Sequence, residues 1–90
     1  MPSYLVETYL RRGDVGERAA RNRRARSAAE ELTQERPCVR FDRSIHVLDD
    51  EICFYVFEAQ SAQEAAHVAQ HAGLDPIRIV EAISSGKGKK

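Results

Sequence analysis

The chain has 90 residues and a mass of 10.1 kDa, one small domain that buries only roughly 60% of its unfolded surface. Lys and Arg number 14, as do Asp and Glu, so the formal net charge is zero, which argues against a polyanion binder acting through bulk charge. Hydrophobic residues make up 42% and charged residues 31%, which excludes wholesale disorder. No apolar run approaches the ~20 residues of a membrane helix. The segment Met1 to Glu7 lacks a basic stretch followed by an apolar one, so no signal peptide is expected and cytoplasmic localisation is the default. Cys38 and Cys53 are too few for a disulfide scaffold.

The first element is a strand over Ser3–Leu10, rich in aromatic and β-branched residues. Arg11, Arg12 and Gly13 break it. Asp14 opens a helix with Glu17 three residues on, a capping box, and the helix runs to Glu35 before Pro37. Cys38–Leu48 and Ile52–Ala59 read as two strands joined by the acidic turn Asp49-Asp50-Glu51. Ser61 and Glu64 form a second capping box, and Gly73 suits the left-handed position after that helix. Asp75 and Pro76 make a turn, Ile77–Ser84 a fourth strand, and residues 86–90 an unanchored, disordered tail. Residues 1–85 form the single domain.

The order βαββαβ predicts an α+β fold of the ferredoxin-like kind, an antiparallel four-stranded sheet with both helices on one face. A two- or four-residue hairpin loop pairs positions that sum to 99. One hairpin face then carries Val39, Phe41, Arg43, Ile45 and Val47 with Ile52, Phe54, Val56 and Glu58. The other carries Arg40, Asp42, Ser44, His46 and Leu48 with Cys53, Tyr55 and Phe57. The first is more apolar and is expected to take the helices, with Arg43 and Glu58 as diagonal neighbours. The mixed second face, with Glu7 and Tyr9 of the first strand, is then left bare. A bare, partly apolar face suits a second copy, so a homodimer is expected through the sheet face, as a dimeric α+β barrel.

On this register His46 and Cys53 stand opposite each other. Imidazole and thiolate are ligands for transition metals, and a neighbouring His can activate a Cys. The alternative is a small buried thiol. Glu7, Tyr9, Ser44 and Tyr55 are the candidates to complete a ligand pocket there. A disulfide between Cys38 and Cys53 is not expected, because position 38 lies eight residues beyond the partner of Cys53. His67 and His71 lie at i, i+4 with Glu64 one turn earlier, opposite an expected apolar stripe of Ala62, Ala65, Ala66, Ala69 and Ala72. A helix chelates a divalent ion with that spacing, and an exposed, solvated pair is the alternative. Arg11, Arg12, Arg18, Arg21, Arg23, Arg24 and Arg26 suggest nucleic acid. No aromatic is interleaved and Glu30, Glu31 and Glu35 follow, so a solvated face is favoured over nucleic-acid binding. No Gly-x-Ser-x-Gly, phosphate loop or Cys-x-x-Cys is present.

The segments VRFDRS at 39–44, DEICFYVFEA at 50–59, AGLDP at 72–76 and RIVEA at 78–82, with YLVETY at 4–9, resemble a bacterial family of small domains of unknown function. Some members of it are described as nickel-binding proteins. The resemblance spans residues 3 to 84 and is strongest to actinobacterial members. It implies a ferredoxin-like homodimer and, as cofactor, nickel or another divalent transition metal. The expected function is a small, non-catalytic homodimer that binds a transition metal or a small ligand. An oxygenase- or isomerase-like enzyme with a cavity on the sheet face is the alternative.

Overall fold

Two capping residues set where the helices begin. Asp14 Oδ1 accepts a hydrogen bond from the Glu17 amide at 3.1 Å, and Ser61 Oγ accepts from the Glu64 amide at 3.2 Å. The computed structural model describes residues 2–35 and 39–83. In it the elements are β1 (Ser3–Tyr9), α1 (Val15–Glu35), β2 (Arg40–Val47), a 3-10 turn (Leu48–Asp50), β3 (Ile52–Glu58), α2 (Ala62–His71) and β4 (Arg78–Ala82). Gly73, two residues after α2, has φ of 71°, the left-handed geometry expected of it. The expected Cys38 start of the second strand, the Ser84 end of the fourth and the 86–90 tail lie outside the described residues.

The strands form one antiparallel sheet in the order β2-β3-β1-β4. With two helices that pack on each other and on the sheet, this is the ferredoxin-like α+β plait. Helix α1 lies over β2, and α2 over β1 and β4. Among the described residues, no helix is long and apolar enough to cross a membrane.

The helices cover the opposite face from the one expected. Tyr4, Val6, Thr8 and Leu10 of the first strand, with Cys53, Tyr55 and Phe57 of β3, are buried against them. Ile45, Ile52 and Phe54 stay on the open side. The reason lies in the charges and not in the count of apolar residues. The open side also carries Glu7, Arg43, Glu58 and Arg78. Covering these with helices would desolvate four ionised groups, each costing several kcal/mol. The covered side asks for neutral Thr8, Ser44, His46 and Cys53 to be buried, while Glu81, which shares that side, lies on outer strand β4 and stays exposed. The helices contribute small residues there: Ala25, Ala28 and Ala29 of α1, and Ala65 and Ala69 of α2. Close helix approach leaves the volume for the rings of Tyr4, Tyr55 and Phe57.

The hairpin register agrees with expectation from Arg43↔Val56 to Val47↔Ile52, closed by a four-residue loop whose Glu51 is left-handed (φ 55°). A bulge at Asp42 then shifts it, so that Phe41 faces Phe57 and Arg40 faces Glu58. The expected Arg43–Glu58 pairing is thereby replaced. Arg43 bonds Asp42 at 2.7 Å, and Glu58 pairs with Arg40 at 3.5 Å. The bulge also turns Phe41 to the covered side, 5.4 Å from the Phe57 ring.

Replacing Ser61 by Ala removes the acceptor for the Glu64 amide. Stability should fall by about 1 kcal/mol, lowering Tm by about 4–8 °C for a domain of this size. Ser61→Asn should melt near the wild type; thermal circular dichroism distinguishes the two.

Candidate functional site

Helix α1 turns two kinds of surface toward the sheet. Its C-terminal half presents Ala25, Ala28, Ala29 and Leu32, all buried. Its first turns present Arg18, Arg21 and Asn22, half-buried. Arg26 lies over the Phe41 ring at 5.3 Å, and Arg18 is close enough to His46 to act on its charge. The helix therefore runs back along β2, and Asn22 falls between these two points as Ser44 does on the strand. A packed cluster of polar groups results beneath α1, with Ser44 and His46 of β2 and Cys53 and Tyr55 of β3 on the sheet side.

The sheet side comes from the hairpin register: His46 is paired with Cys53, and Ser44 with Tyr55. Ser44 Oγ is 3.1 Å from His46 Nε2. The Thr8 hydroxyl donates to the Cys53 carbonyl at 3.0 Å. Helix α1 is anchored to β1 through Arg21. Arg21 Nε donates to Glu17 Oε2 at 2.9 Å, and its Nη1 reaches the Tyr9 carbonyl at 3.0 Å. Arg18 Nε, Asn22 Oδ1 and His46 Nδ1 are buried without a hydrogen-bond partner, and the Tyr55 hydroxyl lies against the Cys53 thiol and the Arg21 guanidinium. Each unpartnered atom costs about 1–3 kcal/mol, a large burden for a fold whose net stability is about 5–15 kcal/mol.

The ionisable groups on the sheet side of this cluster are uncharged at neutral pH. Burial, and secondarily the Arg18 guanidinium, lower the pKa of His46 from its ordinary 6.5. Burial pushes the Cys53 thiol up, and likewise the Tyr55 phenol, well above its usual value. Glu17 is held below the usual carboxylate range by its hydrogen bond to Arg21. A thiol held protonated is a poor nucleophile and a poor metal ligand.

The residues singled out in the sequence are thus divided among separate places. Ser44, His46, Cys53 and Tyr55 meet beneath α1. Glu7 and Tyr9 do not join them, because their parity places them on the open face. Glu7 pairs with Arg78 at 2.9 Å, and the exposed Tyr9 hydroxyl bonds Glu51 at 3.1 Å. Glu64, His67 and His71 lie on α2, over the other half of the sheet. His71 Nε2 sits 2.8 Å from Glu31 of α1. The buried stripe of α2 is Ala65, Val68, Ala69 and Ala72; Ala62 and Ala66 are exposed. Among the described residues, no cluster of three or more His, Cys, Asp or Glu side chains is placed to hold a metal ion.

Arg18, Arg21 and Asn22 were not legible as site residues. Several arginines of the basic cluster also hold the structure together. Arg21 ties α1 to β1, Arg24 Nε donates to the Ala72 carbonyl at 2.8 Å, and Arg26 covers Phe41. The available signal was the spacing 18, 21/22, 25, 28/29, 32, a helical stripe that begins polar and ends in alanine and leucine.

The chain matches no family model, no curated protein and no solved structure.

His46 should make stability depend on pH. Unfolded, it takes up a proton near pH 6.5; folded, only at lower pH. Stability should therefore fall as pH drops below about 6.5, toward the folded midpoint. Urea midpoints of wild type and His46→Asn across pH 4.5–7.5 (a range of about three units around that value) should show a shallower acid slope in the variant. The His46 ring proton in NMR should titrate below 6.5, and closer to it in Arg18→Gln.

Proposed function

We propose that this chain is a small binding protein without catalysis of its own, acting as a homodimer joined sheet to sheet, and that it takes a small polar ligand at the polar cluster beneath α1. The observation that carries the binding reading is that Arg18 Nε, Asn22 Oδ1 and His46 Nδ1 are buried without partners where α1 meets the sheet. Natural folds satisfy such atoms with a partner, a water or a ligand. Binding is favoured over catalysis because Cys53 and Tyr55 both hold their protons at neutral pH.

The homodimer reading rests on the open sheet face. Its centre is Leu5, Ile45, Val47, Ile52, Phe54 and Val80. Its charged residues are already matched within the chain, Glu7 with Arg78, Glu58 with Arg40 and Arg43 with Asp42. A patch that is largely apolar and whose charges are neutralised in pairs suits a copy of itself, which a twofold interface requires. A concavity of about 380 Å³ at the Pro2 end, lined in part by Leu5, Val56 and Ala82, leaves room for side chains of the second copy.

A second reading gives the protein a divalent transition metal such as nickel. His67 and His71 favour it: both are exposed, one turn apart, and Glu31 brings a carboxylate to His71. The His46–Cys53 pair is the weaker metal candidate, since the guanidiniums of Arg18 and Arg21 repel a cation there.

Sedimentation velocity should give twice 10.1 kDa for the wild type and the monomer for Phe54→Asp. A wild-type monomer at micromolar concentration removes the homodimer. Calorimetric titration with nickel and zinc tests the metal reading. Binding weaker than about 10 µM, or unchanged in His67→Ala/His71→Ala, removes metal at this pair; about 10 µM corresponds to roughly −7 kcal/mol.

A further inference from the structure

We propose that the groove between the C-terminal half of α1 and β2 is a site for a free α-amino acid with an apolar side chain, whose carboxylate meets Arg26 and whose ammonium meets Glu30. The site is separate from the polar cluster under the first turns of α1 and from the open sheet face, and it goes beyond the readings above. A cavity of about 320 Å³ lies here, at the small end of the range for ligand pockets. Its floor is the half-buried Phe41 ring, with the buried side chains of Ala29 and Val39 beside it. Phe57 at 5.4 Å and Tyr55 at 6.4 Å hold that ring in place. Thr33 ties the helix to the chain entering β2: its hydroxyl donates to the Val39 carbonyl at 2.7 Å and accepts from the Val39 amide at 3.2 Å. The walls of the groove are thus fixed to each other without a ligand.

Two charges on the wall lack partners. Arg26 and Glu30 are one turn apart on α1, and both line the cavity. At that spacing opposite charges are close enough to pair. Here Arg26 lies over the Phe41 ring at 5.3 Å instead, and among the described residues neither Arg26 nor Glu30 has an ion-pair partner. Arg40, at the mouth of the groove, is already matched by Glu58 at 3.5 Å. The ring holds the guanidinium by cation–π attraction, and its planar fork suits a carboxylate bound through two hydrogen bonds. A molecule that carries a carboxylate and an ammonium on one carbon answers both charges, and its side chain covers Phe41. A plain carboxylate is repelled by Glu30, and a plain amine by Arg26.

The test is NMR titration of the full-length chain with L-leucine at fixed ionic strength, with N-acetyl-L-leucine, L-leucinamide and glycine as comparison arms. L-Leucine should shift the backbone signals of Ala29, Thr33 and Phe41 saturably, with a Kd below about 1 mM, the affinity of a weak specific site. The acetylated form lacks the ammonium, the amide lacks the carboxylate and glycine lacks the side chain; each should bind weaker by about tenfold or more. Arg26→Gln and Glu30→Gln should weaken L-leucine to the same degree. Both positions are exposed, and circular dichroism should show the fold retained. N-Acetyl-L-leucine binding as tightly as L-leucine makes the ligand a plain carboxylate and overturns the proposal. Glycine binding as tightly leaves the Phe41 floor without a role and overturns it too. No saturable shift with L-leucine overturns the site outright. Shifts confined to Ser44 and His46 put the ligand at the polar cluster beneath α1, which overturns this site and supports the reading above.

Discussion

Two helices can cover one side of a four-stranded sheet and no more, and the rest of this structure depends on which side that is. Along β3 the residues alternate between two nearly equal claims, Cys53-Tyr55-Phe57 and Ile52-Phe54-Val56. The helices take the first because its company is neutral and its rings fit against alanine. Glu7, Arg43, Glu58 and Arg78 are thereby left in contact with water, where ionised groups cost little. The same decision brings His46 and Ser44 under α1 and leaves a largely apolar sheet surface uncovered. Candidate site and candidate interface are two results of one parity.

The architecture was legible because it rests on local signals. Asp14 and Ser61 cap their helices as their positions indicate, and the turn after Val47 holds the His46–Cys53 pairing. The side of the sheet was not legible from the hairpin alone. Counting apolar residues on β2 and β3 ignores the cost of covering charges, and a one-residue parity exchanges every side chain between faces. The bulge at Asp42 compounds the difficulty. It moves Phe41 out of the set containing Ile45 and Val47 and into the covered one.

The candidate site was half legible, and the division falls between strand and helix. Ser44, His46, Cys53 and Tyr55 could be grouped from pairing geometry. Arg18, Arg21 and Asn22 could not, because in one dimension they belong to a run of arginines that resembles a solvated surface. Folded, that run has several duties: Arg21 braces β1, Arg24 reaches the end of α2, Arg26 lies on an aromatic ring, and Arg18 acts on His46. Side chains of one chemistry, three or four residues apart, face different neighbours around the helix. Composition sums them and loses that distinction.

The bulge at Asp42 has a bearing on how copies of the chain can meet. It sits on β2, an outer strand of the sheet, flanked by Arg40 and Arg43. A strand edge interrupted by an extra residue and lined with guanidiniums is a poor template for another strand, so ladder-wise growth from that border is discouraged. Growth along an edge is open-ended, whereas two faces meeting about a twofold axis exhaust each other. The same irregularity that turns Phe41 inward thus makes the β2 border a poor place for strand-to-strand pairing.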